Sequence, residues 1–153
     1  MDEKFMREAI RLARRAASYG EMPVGAVIVR NGEIISRGYN RRETKKNALL
    51  HAEITAIDRA CKKLGGWRLP ECELYVTLEP CPMCAGAILN SRIEQVYYGV
   101  ADEKSGCTGS RINLLDMNLC NYSAKVTGGI CEDECRAVIK AFFKDLRGKK
   151  SAK

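Results

Sequence analysis

The sequence predicts a three-layer α/β/α domain in which helices cover both faces of a mixed, mostly five-stranded sheet. Short apolar runs typical of strands alternate with longer segments of helical periodicity, the order that crossover connections and parallel strands require. The first two runs flank Asn31-Gly32, a dipeptide typical of a two-residue hairpin. The sheet should therefore open with an antiparallel pair.

The first helix is predicted at residues 4 to 19, where small apolar side chains recur at helical spacing and arginines occupy the other face. A second helix should run from His51 to Leu64 and end at Gly65-Gly66. A turn and short helix follow at residues 80 to 90. The last helix should begin at Glu132, the first of three consecutive acids that suit the positive end of its dipole.

Strands are predicted where short apolar runs are bounded by turn residues, at residues 24 to 29, 33 to 39, 73 to 77, 95 to 99 and 124 to 127. Residues 41 to 50 begin polar and basic and should form a loop. Residues 102 to 121 show no clear period, so we expect mostly loop there, and loops of this length are usually functional or disordered.

Length and composition favour one globular domain at residues 1 to 148, followed by a basic, flexible tail at residues 149 to 153. The chain has 153 residues, of which 46% are hydrophobic and 29% charged, enough to bury a core without disulfides. Its apolar runs are far shorter than the ~20 residues of a membrane-spanning helix. Residues 1 to 6 lack the apolar stretch of a secretory signal, so we expect a cytoplasmic protein without membrane association.

The eight cysteines are expected to bind metal or to be buried, because disulfides belong mainly to secreted chains. Cys131 and Cys135 are four apart on the apolar stripe of the last helix, and we interpret them as core residues. That stripe is predicted to contain Cys131, Cys135, Val138, Ile139, Phe142, Phe143 and Leu146.

The net charge of +7 is concentrated at the C-terminus. Residues 136 to 153 hold seven basic side chains and one acid, which gives +6 and leaves +1 for the rest. Lysine and arginine gain affinity for polyanions by releasing counterions from phosphates. On charge alone, a binding site for a polyanion and a solubilising tail are equally good interpretations.

Two short motifs carry the chemistry. His51-Ala52-Glu53 contains the single histidine, and Pro80-Cys81-Pro82-Met83-Cys84 follows about thirty residues later. Taken separately, the first could be a structural histidine and the second a redox pair. Together they offer one imidazole and two thiolates, and three protein ligands with one open position are typical of catalytic zinc.

The helix starts favour this interpretation. Pro82 suits the first position of a helix, so Cys81 and Cys84 should lie where unpaired N–H groups and the helix dipole stabilise thiolates. Glu53 lies two residues after His51 and can approach the open metal position only over the helix end. Glu53 is therefore predicted to be a general acid and base rather than a ligand.

These residues resemble the zinc-dependent nucleoside and nucleobase deaminases, whose signature combines H-x-E with P-C-x-x-C. Within that superfamily the chain is similar to the bacterial tRNA adenosine deaminases over nearly its whole length. The matching segments include residues 22 to 27, 39 to 40, 51 to 53, 74 to 81, 84 to 87, 91 to 93, 129 to 130, 134 to 135 and 142 to 143. The segment Asn47-Ala48-Leu49-Leu50 departs from the family's Asp/Asn-Pro-Thr-Ala by lacking the proline.

The resemblance implies a cytidine deaminase-like fold with one Zn²⁺ per chain. It makes His51, Cys81 and Cys84 the metal ligands, Glu53 the proton shuttle, and the protein a hydrolase that converts adenosine to inosine at the wobble position of a tRNA anticodon stem-loop. It also implies a homodimer and no binding of DNA. The substrate-binding residues that it implies are Asn40, Ala52, Asp102, Phe142, Phe143, Lys144 and Arg147.

Three alternatives stay open at this point. A deaminase of a free base or nucleotide, of the guanine or dCMP type, would have no need of a basic C-terminus. A zinc-stabilised RNA-binding partner without activity should lack the shuttle acid, yet Glu53 is present. A thiol redox protein using Cys81 and Cys84 leaves His51 unexplained.

Overall fold

The computed structural model describes residues 1 to 151 and has the predicted architecture. Within these residues it contains four α-helices and one five-stranded sheet. In chain order the elements are α1 (Glu3–Ser18), β1 (Gly25–Arg30), β2 (Glu33–Tyr39), α2 (Ala52–Leu64), β3 (Cys72–Leu78), α3 (Pro82–Ser91), β4 (Gln95–Val100), β5 (Lys125–Thr127) and α4 (Glu132–Ser151). The α/β fold class and the order of elements are confirmed.

The sheet has the strand order β2-β1-β3-β4-β5. Strand β1 is antiparallel to both β2 and β3, whereas β3, β4 and β5 are parallel. The predicted hairpin joins β1 and β2, and both of its turn residues have positive φ, 52° at Asn31 and 76° at Gly32. Positive φ at both positions is what the right-handed twist of paired strands requires of a two-residue turn.

Alternating strand residues build two cores, one on each face of the sheet. Ile28 and Leu74 face α2 and α3, while their neighbours Val27 and Tyr75 face α1 and α4. Helix α1 is held close to the sheet at Gly25, where an added Cβ would collide with the backbone of α1. The helices on both faces thus leave one end of the sheet for the loops that follow β2, β3 and β4.

The prediction for the last helix needs correction at its C-terminal half. Cys135 and Val138 are buried against α1 and the sheet, but Phe143 and Leu146 are 39% and 38% exposed. Phe142 is half-buried, and none of these three residues belongs to the core. The apolar stripe continues along α4 beyond the part of the helix that packs in the core on the α1 side of the sheet. Helix α4 also continues past the predicted boundary at residue 148 to Ser151, and residues 152 and 153 lie outside the described part of the chain.

The segment between β4 and β5 is mostly loop, as predicted, with two single turns of 3₁₀ helix at Leu114–Asp116 and Leu119–Asn121. The buried side chain of Leu115 packs in the core on the α2 and α3 side of the sheet and holds this segment in place. All eight cysteines are free thiols, but the expectation that each binds metal or is buried is wrong for Cys120, which is exposed. Across residues 1 to 151, no helix combines the length and the apolar character needed to cross a membrane.

The two edge strands differ from the central ones. Strand β5 has three residues. Strand β2 carries a bulge where its register with β1 shifts, because Ile28 pairs with Ser36 but Val29 pairs with Ile34. The guanidinium of Arg59, on α2, donates a hydrogen bond of 2.9 Å to the carbonyl oxygen of Arg37 in β2.

Candidate active site

Three potential metal ligands meet where α2 and α3 begin. His51 is the N-cap of α2, Cys81 is the N-cap of α3, and Cys84 lies in the first turn of α3. The Nδ1 atom of His51 is 3.6 Å from the Sγ atoms of both cysteines. All three donor atoms lie within 4.8 Å of one another. The structure thus brings together the three ligands predicted from the sequence.

The local sequence explains why both thiols lie at this helix start. Pro82 at the first position of α3 has no N–H to leave unbonded and a φ suited to a helix. The side chains of His51 and Cys81 make no capping hydrogen bond, so they are free to act elsewhere. Unpaired N–H groups at the two helix starts favour negative charge on the sulfur atoms.

The two thiols are electrostatically unequal. A hydrogen bond from Cys84, followed by one from His51, lowers the pKa of Cys81 to about 4. The same hydrogen bond, together with burial, raises the pKa of Cys84 far above its ordinary value. The pKa of His51 is raised, chiefly by its hydrogen bond to Cys81. These hydrogen bonds favour the thiolate form of Cys81 over that of Cys84, and metal binding would displace the protons that the ligands carry.

This donor set fits zinc. One imidazole nitrogen and two sulfur atoms are ligands that Zn²⁺ prefers, and three protein ligands leave the fourth tetrahedral position for water or substrate. The donors converge from two rigid helix starts, so the site needs no large rearrangement to close around a cation. Within the described residues, this is the cluster whose geometry would allow metal binding.

Glu53 lies in the first turn of α2 and is 4% exposed. Burial raises the pKa of its carboxyl group, because the charged form loses its hydration there. Its carboxylate is not one of the three converging donors. A buried carboxyl group beside a ligand cluster, with a raised pKa, is suited to general acid and base catalysis.

The cluster opens into a cavity of about 160 Å³, which we call the active-site cavity. An apolar cavity of about 150 Å³ is known to hold benzene, so this volume suits an aromatic ring. The residues around it are Met22, Val24, Asn40, Arg42, His51, Ala52, Glu53, Leu78, Glu79, Cys81, Asp102 and Ser105. The structure therefore places Asn40, Ala52 and Asp102, as well as Glu53, around one cavity, as their predicted roles require.

Asn40 and Asp102 are both held in place by backbone groups. The amide of Asn40 donates to the carbonyl oxygen of Met22 at 3.2 Å and accepts from the N–H of Arg42 at 3.2 Å. One N–H and one lone pair of Asn40 remain for a ligand. Asp102 accepts from the N–H groups of Lys104 and Ser105 at 3.0 and 3.2 Å, which fixes a tight turn at the cavity wall.

Sequence reasoning missed Glu79, which organises that wall. Its side chain is 2% exposed and accepts hydrogen bonds from the backbone N–H groups of Asp102, Thr108 and Ser110 at 3.1, 3.1 and 3.0 Å, and from the hydroxyl of Ser110. Gly106 packs so closely against the carboxylate that a Cβ would collide with it. An acid directly after an apolar strand is the only sequence signal for this role.

A second buried carboxylate holds the loop on the other side of the cavity. Glu21 has no exposed surface and accepts from the N–H groups of Glu43 and Thr44 at 3.0 and 2.7 Å. Burial alone would raise the pKa of Glu21, but these hydrogen bonds outweigh it and lower the pKa. The loop it holds carries Arg42, a cavity residue that was also missed, and leads to His51.

The remaining predicted substrate contacts lie elsewhere. Phe142 lines a separate groove of about 450 Å³ between α1 and α4. Phe143, Lys144 and Arg147 are exposed on α4. The structure does not bring these four residues to the active-site cavity, so their contact with substrate stays a prediction.

Comparison with known proteins identifies the family. Residues 1–147 match the family described as MafB19-like deaminase. A tRNA-specific adenosine deaminase of Bacillus subtilis is 53% identical over 151 residues, covering 99% of this chain and 94% of the relative. A protein of the same name from Haemophilus influenzae is 43% identical over 97% of this chain and 87% of its own length. The chain belongs to the tRNA-specific adenosine deaminase family.

Solved structures agree with this family assignment. A structure from a study of A-to-I editing by tRNA:A34 deaminases at the wobble position has a TM-score of 0.86 and 41% identity, covering 90% of this chain and 99% of that one. A guanine deaminase from Nitrosomonas europaea has a TM-score of 0.81 and 25% identity, covering 93% of this chain and 84% of its own. The adenosine deaminase family is thus the nearer of these two in both fold and sequence.

Proposed function

We propose that this protein hydrolyses adenosine to inosine at the wobble position of a tRNA anticodon loop, with release of ammonia. One observation carries the proposal. Three converging ligands and a buried carboxyl group lie around a ring-sized cavity in a chain that is 53% identical to a tRNA-specific adenosine deaminase. The proposal includes one zinc ion per chain, held by His51, Cys81 and Cys84.

Zinc, when bound, supplies Lewis acidity and lowers the pKa of water in its fourth position to about 7. The chain's own residues handle the protons. Glu53 takes one proton from the attacking water and delivers it to N1 of adenine. It then takes the second proton from the new C6 hydroxyl and delivers it to the departing amine, so that ammonia leaves and C6 becomes a carbonyl. Burial of Glu53 supports this role, because its raised pKa allows the carboxyl group to cycle between both protonation states.

Asn40 and Asp102 are proposed to orient the purine, with Ala52 as part of the wall. Both polar side chains are already fixed by backbone hydrogen bonds and therefore lose little freedom when a ligand binds. Such fixed groups can hold C6 of the ring against the attacking water.

The target base must leave its stack to enter this cavity, which costs least in a single-stranded loop. An anticodon loop meets that requirement. The basic helix α4 is proposed to contact the RNA backbone through Lys144 and Arg147, with Phe142 and Phe143 beside them. We further propose a homodimer acting in the cytoplasm, with no role for DNA.

Deamination of a free purine is the second candidate, favoured by the fold similarity to the Nitrosomonas europaea guanine deaminase. Purified protein incubated with bulk tRNA, and separately with free purines and pyrimidines, distinguishes the two. We expect inosine in tRNA together with released ammonia. Faster ammonia release from a free base than from tRNA would replace our proposal with this second candidate.

Two variants test the roles in the site. Cys84→Ser should reduce zinc content well below one per chain, since it removes a thiolate ligand. Glu53→Gln keeps size and polarity but cannot cycle a proton, so turnover should fall ~10²- to 10⁴-fold while zinc stays bound. Loss of zinc from the glutamine variant would make Glu53 a ligand, and full zinc in the serine variant would remove Cys84 from the ligand set.

A further inference from the structure

A second cavity of about 290 Å³ lies next to the active-site cavity, on the α1 side of the sheet. Its lining is Tyr19, Tyr39, Arg41, Thr44 and Lys45, and we call it the side cavity. Two tyrosines, two cationic side chains and one threonine line it, with no acid among them. None of the residues proposed to orient the purine lines this cavity.

Its aromatic wall is built from two tyrosines. The rings of Tyr19 and Tyr39 are inclined by 16° with centroids 6.2 Å apart, and the guanidinium of Arg15 lies 5.5 Å from the Tyr39 centroid. Tyr39 is half-buried between its neighbours, whereas Tyr19, just after α1, is 55% exposed. An exposed ring fixed in this way is a surface on which a nucleobase can stack.

The cations of the cavity are not neutralised. Arg41 and Lys45 form no salt bridge with any described residue, and the Nε of Arg41 is buried without a hydrogen-bond partner. The acid of this loop, Glu43, pairs with Arg42 instead. Two cations without an acidic partner give the cavity an uncompensated positive charge, which favours an anion such as phosphate.

One backbone segment separates the two cavities. Tyr39 and Arg41 line the side cavity, while Asn40 and Arg42 line the active-site cavity. This alternation continues the pleat of β2, in which successive side chains point to opposite faces. The two cavities are therefore divided by a single backbone segment, and this arrangement suits two adjacent nucleotides of one RNA strand, one in each cavity.

We propose that the side cavity binds the nucleotide next to the target adenosine, with its base stacked on Tyr19 and its phosphate near Arg41 and Lys45. This inference rests on the proposed function, since it requires an RNA substrate. Aromatic rings beside unpaired cations are the combination that recognises single-stranded nucleic acid. A free purine would occupy only the active-site cavity and leave the side cavity unused.

The test uses an anticodon stem-loop RNA and the full-length protein. Stacking of a base on an aromatic side chain contributes to binding, so Tyr19→Ala should raise KM about fivefold or more with kcat nearly unchanged. Tyr19→Phe keeps the ring and should behave as wild type. Lys45→Ala should make the salt dependence of binding shallower by up to ~0.7 in slope. Lys63→Ala, an exposed lysine at the end of α2, is the matched control.

An abasic nucleotide placed on either side of the target adenosine locates the contact. At the stacked position, the increases in KM caused by the abasic nucleotide and by Tyr19→Ala should not add, because both changes remove the same stacking interaction. Additive losses on both sides, or a Tyr19→Ala protein with wild-type KM, would overturn the inference and leave the proposed function intact. Wild-type protein that leaves the stem-loop unchanged would overturn both. Unchanged thermal unfolding of the variants excludes a folding defect.

Discussion

Replacing Glu79 with glutamine tests how far one buried carboxylate organises the wall of the active-site cavity. Its two oxygens accept four hydrogen bonds from residues 102, 108 and 110. A glutamine has one acceptor oxygen and an NH₂ group that only donates. If its oxygen faces the N–H groups of Thr108 and Ser110, its NH₂ can bond the Ser110 hydroxyl, but the N–H of Asp102 has no acceptor left.

The expected cost follows from those bonds. The partly buried N–H of Asp102 without a partner costs up to ~1–3 kcal/mol, and each of the two bonds whose acceptor changes from charged to neutral loses about 1 kcal/mol. The closed loop is therefore destabilised by up to about 5 kcal/mol. A loop that opens to water avoids part of this cost, but Asp102 then leaves the cavity wall. The variant should lose either stability or substrate affinity. Gly106, which packs against residue 79, has no side chain that could accept the hydrogen bond left unmade.

Urea unfolding and steady-state deamination of stem-loop RNA measure the two outcomes. Glu103→Gln is the matched control, since it makes the same change on an exposed side chain of the same loop. We expect the control to match wild type in both measurements. A Glu79→Gln protein within 0.5 kcal/mol (about the scatter of ordinary surface substitutions) and with unchanged KM would refute the reasoning.

Three further outcomes are expected. Gly25→Ala should destabilise the fold by ~1–3 kcal/mol, because the added methyl group would lie 2.7 Å from a backbone nitrogen of α1. Gly66→Ala is the control, since its added methyl group would meet no atom within 4 Å. Equal stability of the two variants in urea unfolding would contradict the packing argument. The pKa of Glu8 is lowered chiefly by hydrogen bonds from Arg11. The ionised Glu8 therefore adds to the free energy of unfolding above its pKa in the unfolded chain, and this stabilisation is lost as pH falls through its pKa in the folded protein. Glu8→Gln should therefore be less stable than wild type at pH 7, by about 1 kcal/mol or less, and this difference should disappear as pH falls through the folded pKa of Glu8. Ending the chain after Gly148 removes three basic side chains and should weaken tRNA binding with a shallower salt dependence but unchanged unfolding; an unaltered salt slope would mean that these charges only solubilise the protein.

The metal cluster could be predicted from the sequence because its information is local. Ligand types, the spacing of Cys81 and Cys84, and Pro82 at a helix start specify where the sulfur atoms lie. The Asn31-Gly32 turn is a similar case, since only a few residue types accept positive φ at both positions.

Other features depend on partners distant in the chain, and the sequence pattern does not contain them. Glu21 and Glu79 bond backbone N–H groups that lie 22 to 31 residues away, and any residue type except proline could supply such a group. The exposure of Phe143 and Leu146 has a related cause. Periodicity shows which face of α4 is apolar, but it does not show how far the neighbouring elements reach along the helix.

The edges of the sheet bear on how the protein avoids self-association through its strands. An unpaired edge is a template for another strand and hence for aggregation. Strand β5 offers only three residues and begins with an exposed lysine, Lys125. Strand β2 is longer, but its bulge interrupts a regular ladder, and the carbonyl group of Arg37 is already occupied by Arg59. Removing the guanidinium through Arg59→Leu should therefore leave catalysis intact while lowering the protein concentration at which fibrous aggregates form.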